Sequence, residues 1–315
     1  METKLGFVFP GQGSQSVGMG FGLATRFSDF ESIFLETLRE ADASIGFPLS
    51  QILREGPAEK LKETDITQPA LLTVSTAMSR WLKSKGITPH VALGHSLGEF
   101  SALVFSEALS FSQAVKLVHL RGRLMQEAVP SGVGGMAALL GATPEIAQNL
   151  CEKVKESLPG KVLEPSAYNC PGQVVLSGHI VAIDCAVARA KELGARAATK
   201  LEVSGPFHCS LLKNAGAELG KALSEIDITA PQTQVIANTT ADIEHAASDI
   251  RKNLEDQVSQ AVRWEESVKR ALSLGVTRFV EVGSGKVLTG LLKKICPETP
   301  CESLDTIEDL KLLGA

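Results

Sequence analysis

A serine between two glycines is the sharpest chemical feature of this 315-residue sequence. Ser96 lies in Gly94-His95-Ser96-Leu97-Gly98, with a predicted strand before it and a predicted helix after it. Glycines let the backbone turn tightly, so the hydroxyl is exposed where the N–H of Leu97 and the helix dipole favour a developing negative charge. The pattern predicts a nucleophilic serine, and the alternative is a glycine-flanked turn with a capping serine.

A serine hydroxyl needs a base within hydrogen-bond reach before it can attack a carbonyl. His95 is next to Ser96, but neighbours in such a turn point apart, so we expect His95 to pack or orient locally. His208 follows Phe207 in Val203-Ser204-Gly205-Pro206-Phe207-His208, where a predicted inserted module returns the chain to the main domain. A histidine on that junction faces the cleft, and we predict His208 as the base.

Two further residues could complete acyl-transfer chemistry. The glycines of Gly11-Gln12-Gly13 permit close backbone approach, so the N–H of Gln12 could donate to an oxyanion, and a tight turn is the alternative. Arg121 lies on the second predicted helix after Ser96, where an arginine is normally a solvated charge. If Arg121 faces the cleft, its guanidinium would bind a carboxylate through two hydrogen bonds, and the substrate would be an acyl group ending in an acid.

The elements that must position these residues alternate between strand and helix. Strands are predicted at 5–9, 90–93, 234–238 and 276–282, with helices at 27–41, 70–85, from Gly94 to 109, and at 112–128, 210–224, 250–274 and 286–295. The middle is predicted as strand 136–140, helix 144–156, strands 162–167 and 174–176, helix 182–193 and strand 195–201, which is the order βαββαβ.

This order predicts an α/β fold in which a small domain is inserted into a larger one. We expect an α/β-hydrolase-like main domain from residues 1–130 plus 204–315 and a ferredoxin-like subdomain from 131–203. The cleft between two such domains is a common ligand site.

Composition excludes several classes of protein. With 31 Lys and Arg against 36 Asp and Glu, the formal charge of -5 argues against nucleic-acid binding. The longest weakly polar run, 132–142, is too short to span a bilayer. The six cysteines form no CxxC pair, which predicts reduced thiols and no metal site. The amino terminus lacks a signal-peptide pattern, so we expect a cytoplasmic protein, with an organellar mature form as the open alternative.

Taken together, these residues resemble the malonyl-CoA:acyl carrier protein transacylases of fatty acid synthesis. The resemblance covers nearly the whole chain, and its specificity comes from several short motifs in the right order. The motifs are FPGQGSQ at 9–15, GHSLGE at 94–99, LRGRLMQ at 120–126, GGMAALLG at 134–141, YNCPGQVVLSG at 168–178, VSGPFH at 203–208 and NTTA at 238–241.

The resemblance implies a role for each matching position. Ser96 would form the acyl ester, His208 would be its base, and Arg121 would hold the malonyl carboxylate. Gln257, which by sequence alone is a helix-surface residue, matches the family position whose backbone carbonyl orients the histidine. The backbone oxyanion donors would be Gln12 and Leu97, and the further substrate-binding residues Gln12, His95, Asn238 and Phe207.

The implied reaction is ping-pong transfer of malonyl from malonyl-CoA to the phosphopantetheine thiol of acyl carrier protein, with no cofactor. We expect a monomer whose partners are malonyl-CoA and the carrier, with no nucleic acid or membrane. Because the carriers are acidic, a basic docking patch is expected, at Lys191, Arg196 and Lys200 or at Lys286, Lys293 and Lys294.

Two other functions remain open from the sequence. An α/β-hydrolase esterase also uses G-x-S-x-G, with its histidine late in the chain, and His245 is the last histidine here. A domain that binds CoA or a carrier without chemistry is the second. Malonyl-CoA with and without a thiol acceptor separates transfer from hydrolysis, and Ser96→Ala separates catalysis from binding.

Overall fold

The structure, a computed structural model that describes residues 3–313, is an α/β fold with two sheets. The strands are β1 (Leu5–Phe9), β2 (Val91–Gly94), β3 (Gly134–Leu140), β4 (Leu163–Cys170), β5 (Gln173–His179), β6 (Ala197–Lys200), β7 (Gln234–Ile236), β8 (Arg278–Glu281) and β9 (Cys301–Ser303). In the described residues β7-β2-β1-β8-β9 form a parallel sheet in that order, and β4-β5-β3-β6 form an antiparallel one.

Most strands from β2 onwards are followed by a helix, as the sequence periodicity predicts, whereas five helices lie between β1 and β2, where the sequence predicts two. None of the helices in residues 3–313 is long and apolar enough to cross a membrane. The α-helices are α1 (Phe21–Arg26), α2 (Ser28–Ile45), α3 (Leu49–Glu55), α4 (Ala58–Lys62), α5 (Thr64–Ser84), α6 (Leu97–Phe105), α7 (Phe111–Glu127), α8 (Pro144–Ser157), α9 (Ile180–Arg189), α10 (Lys213–Ser224), α11 (Ala247–Gln257), α12 (Trp264–Ser273) and α13 (Val287–Ile295).

Each sheet has its own hydrophobic core. Strand β1 is buried along its whole length, the pattern of a parallel strand covered on both faces, and it lies in the larger core with α5, α6 and α7. A second, smaller core joins the antiparallel sheet to α8 and α9, with Leu139, Leu150 and Leu176 at its centre. The chain order of this smaller unit is βαββαβ, as predicted.

Several predicted helices have different limits in the structure, and the two largest differences are in the helices predicted at 70–85 and 250–274. Helix α5 begins at Thr64, six residues before the predicted start, because Pro69 lies inside the helix rather than ending it. The predicted helix over 250–274 is two helices, α11 and α12. The chain is interrupted between them because the N–H of Val262 donates to the carbonyl of Ser166 in β4, and the N–H of Arg263 donates to the carbonyl of Asn238. The short edge strand β9 is absent from the sequence prediction.

Candidate active site

The cavity that contains Ser96 lies where the two sheets meet. It encloses about 250 Å³. Residues directly after β1 and β2 form one wall, so the carboxyl ends of two neighbouring parallel strands meet here, as at many α/β ligand sites. Met136, Ala167 and Val175 of the antiparallel sheet line the opposite side. The cavity is therefore a cleft between the two sheets.

Ser96 occupies a sharp turn between β2 and α6. Its backbone angles, φ 51° and ψ -107°, are unusual for a residue with a side chain. Gly94 and Gly98 allow the turn: a Cβ on Gly94 would lie 1.9 Å from the carbonyl carbon of Gly98, and one on Gly98 would lie 1.9 Å from the carbonyl oxygen of Phe9. The glycine spacing is thus a steric requirement, and it leaves the serine hydroxyl at the start of a helix.

The hydroxyl of Ser96 meets a histidine that a backbone carbonyl holds in place. Ser96 Oγ lies 2.8 Å from Nε2 of His208, and Nδ1 of His208 lies 2.7 Å from the carbonyl oxygen of Gln257. Burial and the positive charge of Arg121 lower the pKa of His208 to about 3, so the imidazole is neutral at neutral pH. With Nδ1–H donating to the carbonyl, Nε2 is the acceptor and faces the hydroxyl.

Arg121 is buried rather than solvated. Only 1% of it is exposed, and burial lowers its pKa to about 10, which leaves it charged at neutral pH. Its Nη1 donates to Oε1 of Gln68 at 2.7 Å, and its Nη2 donates to Oε1 of Gln257 at 2.8 Å and to Oγ of Ser96 at 3.1 Å. A guanidinium that lines the cavity beside the serine can bind an anionic group there.

The two predicted oxyanion donors lie on facing loops. Gln12 and Leu97 both line the cavity with Ser96. Their loops touch, since a Cβ on Gly11 would lie 2.4 Å from the carbonyl oxygen of His95. Leu97 is the first residue of α6, so no preceding helical turn accepts its N–H. The side chain of Gln12 points elsewhere, donating from Nε2 to Oγ1 of Thr64 at 3.3 Å.

Three further predicted site residues take different places. Phe207 is buried, and both it and His95 line the cavity. Nε2 of His95 lies 2.9 Å from Oδ1 of Asn169, and its ring packs against Trp264. Asn238 is fully buried behind the turn and is no part of the cavity lining: its Oδ1 accepts from the N–H of Ser96 at 2.7 Å. It therefore supports the nucleophile instead of touching a substrate.

Sequence reasoning by itself placed Gln257 on a helix surface, which is wrong. Gln257 is fully buried, at the end of the stripe Ile250, Leu254, Gln257 on α11. Likewise Arg121 lies on the buried face of α7 with Val118 and Met125. In both helices the polar residue occupies an apolar-face position, and that spacing was a usable signal for burial.

Gln68 and Asn169 touch the site but were not predicted from the sequence. Gln68 lies in the part of α5 before Pro69, which was predicted to be outside the helix. Asn169 is the second residue of the YNCPGQVVLSG motif but received no role. Both are amides that line the cavity and hold a charged or ionisable side chain, Arg121 and His95 respectively.

The arrangement suits acyl transfer through a serine ester. A hydroxyl, a neutral imidazole and two backbone N–H groups on facing loops surround one cavity. Within residues 3–313 no group of three or more His, Cys, Asp or Glu could hold a metal ion. His245, the histidine of the esterase alternative, is exposed and is not part of the cavity lining.

Comparisons with known proteins agree over nearly the full chain. Residues 6–314 match the family described as acyl transferase domain. The malonyl CoA-acyl carrier protein transacylase of Bacillus subtilis is 45% identical over 293 residues, covering 93% of this chain and 90% of the relative. That of Salmonella typhimurium is 44% identical over 304 residues, covering 96% of each.

Solved structures are similar to the same extent. An acyl carrier protein S-malonyltransferase from Vibrio cholerae superposes with a TM-score of 0.93 at 41% identity, covering 99% of this chain and 100% of that one. A malonyl-transacylase in complex with a type II PKS acyl-carrier protein superposes with a TM-score of 0.91 at 41% identity, covering 97% of each.

Proposed function

This chain belongs to the family of malonyl CoA-acyl carrier protein transacylases, and from that premise we propose how it acts. It transfers malonyl groups from malonyl-CoA to acyl carrier protein for fatty acid biosynthesis, through an ester on Ser96. The observation that carries this proposal is the contact of Ser96 Oγ with both Nε2 of His208 and Nη2 of Arg121. A nucleophile, a base and a binding site for a carboxylate thereby share one cavity.

The first half-reaction loads the enzyme. His208 Nε2 takes the hydroxyl proton as Ser96 Oγ bonds to the thioester carbonyl carbon, and the N–H groups of Gln12 and Leu97 stabilise the oxyanion. Collapse of the tetrahedral intermediate breaks the carbon–sulfur bond. The proton on His208 then passes to the departing CoA thiolate, which leaves a malonyl ester and a neutral imidazole.

The second half-reaction reverses these steps with a different thiol. The phosphopantetheine thiol of the carrier gives its proton to His208, and its sulfur bonds to the ester carbonyl. The carbon–oxygen bond breaks, and Ser96 regains the proton. CoA and phosphopantetheine act as substrate carriers, so the cycle balances without a cofactor. Each thioester replaces another, so the enzyme has only to lower the barrier in both directions.

Substrate choice follows from the residues around the ester. Gln68 and Gln257 hold the Arg121 guanidinium, which binds the malonyl carboxylate. His95 and Phe207 form neighbouring parts of the wall. Phe207 is bulky and lies next to the base, so it limits space at the malonyl C2 carbon and disfavours methylmalonyl.

The same proposal extends to architecture and location. All strands of the antiparallel sheet fall within residues 131–203, which supports a ferredoxin-like subdomain there, inserted into an α/β-hydrolase-like domain of 1–130 and 204–315. The six cysteines are unpaired, which supports the reducing conditions of a cytoplasmic location.

Intact mass after incubation with malonyl-CoA tests the proposed function. We expect a gain of one malonyl group, located on Ser96 by peptide mapping and discharged by an acyl carrier protein. Ser96→Ala should form no adduct. An enzyme that turns over malonyl-CoA without an adduct on Ser96, or one that passes malonyl only to water, would refute the mechanism.

A further inference from the structure

Glu99 is a buried carboxylate three residues after the nucleophile, at the end of GHSLGE. It lies in the first turn of α6 and is fully buried. Burying a carboxylate is costly unless hydrogen bonds or a positive charge compensate for the lost hydration. No step of the acyl transfer uses Glu99 directly, so its burial needs a different explanation.

Glu99 contacts both residues that hold the site from behind. Its Oε2 accepts from the backbone N–H of Asn238 at 2.8 Å and from Nε2 of Gln257 at 2.9 Å. Asn238 in turn holds the N–H of Ser96, and Gln257 holds Nη2 of Arg121. Glu99 is therefore linked to the nucleophile through Asn238 and to the guanidinium through Gln257.

The Gln257 amide works in only one orientation, and Glu99 selects it. With Nε2 towards Glu99, the amide also donates to the carbonyl oxygen of Ser96 at 3.0 Å, and its oxygen accepts from Arg121. A flipped amide would turn its oxygen towards the Glu99 carboxylate and its NH₂ towards the Arg121 guanidinium. Acceptor would face acceptor and donor would face donor, so an acceptor at Glu99 keeps the oxygen on Arg121.

A second buried carboxyl group, that of Glu244, interacts electrostatically with Glu99. Oε1 of Glu99 and Oε2 of Glu244 are both buried without a hydrogen-bond partner. Burial and the charge of Glu99 raise the pKa of Glu244 well above its usual range. Burial also raises the pKa of Glu99, to about 7, but its hydrogen bonds and the Arg121 charge oppose this. The pKa of Glu244 is thus raised further than that of Glu99, whose Oε2 is the acceptor for Asn238 and Gln257.

We propose that Glu99 is a positioning residue for malonyl recognition: through the Gln257 amide it holds the Arg121 guanidinium in place to receive the substrate carboxylate. The inference rests on the proposed function and deepens it. A neutral acyl group makes no use of the guanidinium, so losing Glu99 should harm malonyl loading more than acetyl loading.

The test is the ratio of malonyl to acetyl loading of Ser96, measured by intact mass with malonyl-CoA and acetyl-CoA on the same enzyme sample. The ratio does not depend on how much of the sample is folded. Glu99→Ala should lower it about tenfold or more, the effect of losing one hydrogen bond to a charged group. Glu99→Gln should stay within about threefold of wild type, because its amide oxygen still accepts from Gln257 and Asn238.

If Glu99→Ala does not fold, Glu99→Asp provides the same test. It keeps the charge but withdraws the carboxylate by one methylene, and we expect the ratio to fall at least about threefold. The matched control is Asp42→Ala. Asp42 accepts from the backbone N–H and hydroxyl of Ser50, between α2 and α3, and is not part of the cavity lining, so its loss should leave the ratio unchanged.

The outcomes separate the two proposals. No malonyl ester on wild-type Ser96 would overturn the proposed function itself. A normal wild-type ester with an unchanged ratio in Glu99→Ala or Glu99→Asp would overturn the role of Glu99 alone. A ratio that falls as far in Glu99→Gln as in Glu99→Ala would also overturn it, because the acceptor oxygen would then not be what matters.

Discussion

The backbone carbonyl oxygen of Gln257 lies 2.7 Å from Nδ1 of His208. Catalytic triads commonly place a carboxylate there, which stabilises the imidazolium. A carbonyl fixes the tautomer but carries no full charge, and Arg121, the charge with the largest effect on His208, is positive. Burial and this charge therefore lower the pKa of His208 to about 3. The base is ready at neutral pH, and its proton passes readily to the leaving thiolate.

The first prediction concerns the pH dependence of Ser96 acylation. Only the neutral imidazole accepts the proton, and a lowered pKa keeps it neutral as the pH falls. With a neutral donor such as p-nitrophenyl acetate, which does not require Arg121, the rate should stay flat between pH 7 and pH 5. A histidine of ordinary pKa would lose about 25-fold over this range. The measurement is acetyl-enzyme formation by quenched intact mass.

Two variants serve as the test and the control for that experiment. His208→Ala should slow acylation by about 10² to 10⁴, the usual contribution of a positioned base. His245→Ala, at an exposed site outside the cavity, should behave as wild type. An inflection near pH 6.5 in the wild-type profile would contradict the lowered pKa.

The second prediction concerns the choice between malonyl and acetyl. Arg121→Ala should lose malonyl loading and gain relative acetyl loading. In the wild type an acetyl group leaves the buried guanidinium without a carboxylate partner, at a cost of about 2–5 kcal/mol, or roughly 30- to several-thousand-fold. The measurement compares kcat/KM for malonyl-CoA and acetyl-CoA. Arg123→Ala, an exposed arginine on the same helix, is the matched control. Unchanged acyl preference in Arg121→Ala would disprove carboxylate binding at this residue.

Local spacing was enough to predict the nucleophile and most of the fold. The turn at Ser96 depends on the glycines at 94 and 98, which are close in sequence. The order βαββαβ and the parallel strands follow from periodicity within short windows. These features were predictable because the residues that cause them are neighbours along the chain.

The rest of the site depends on contacts across the chain. Gln257 lies 136 residues from Arg121 and 158 from Glu99, and no window of sequence contains these pairs. Gln68 was not predicted as a site residue for a different reason. Proline normally ends a helix, and here Pro69 is inside α5, where tertiary packing of a fully buried segment outweighs the missing hydrogen bond.

The third prediction concerns the surface that receives the carrier. Helix α13 begins at the cavity, since Val287, Leu288 and Leu291 line it. Lys286, Lys293 and Lys294 are exposed on or beside the same helix. Reversing these three charges to Glu should raise the KM for an acidic carrier about tenfold. The rate of loading from malonyl-CoA should change less than about twofold. Steady-state transfer at low salt measures the first, and single-turnover loading the second.

The other basic set provides the control for that experiment. Lys200 is paired with Asp184 at 2.6 Å, so part of the charge of this set is already compensated. Reversal of Lys191, Arg196 and Lys200 should therefore leave the KM for the carrier unchanged. Equal effects of the two triple variants, or equal losses in carrier turnover and CoA loading, would exclude docking on α13.

The fourth prediction separates the glycines that the nucleophile turn requires from a glycine that it does not. A Cβ on Gly98 would lie 1.9 Å from the carbonyl oxygen of Phe9, which belongs to strand β1 and cannot move without disturbing the sheet. Gly98→Ala should lower the free energy of unfolding by about 1–3 kcal/mol and displace Ser96.

Gly290, in helix α13, is the control, because an added Cβ there has nothing within 4 Å. Gly290→Ala should raise the free energy of unfolding by up to about 1 kcal/mol. Urea unfolding measures the stability of both variants. Loading of Ser96 per folded molecule should fall only in Gly98→Ala. Normal loading in Gly98→Ala would mean that the close approach of α6 to β1 does not position the hydroxyl.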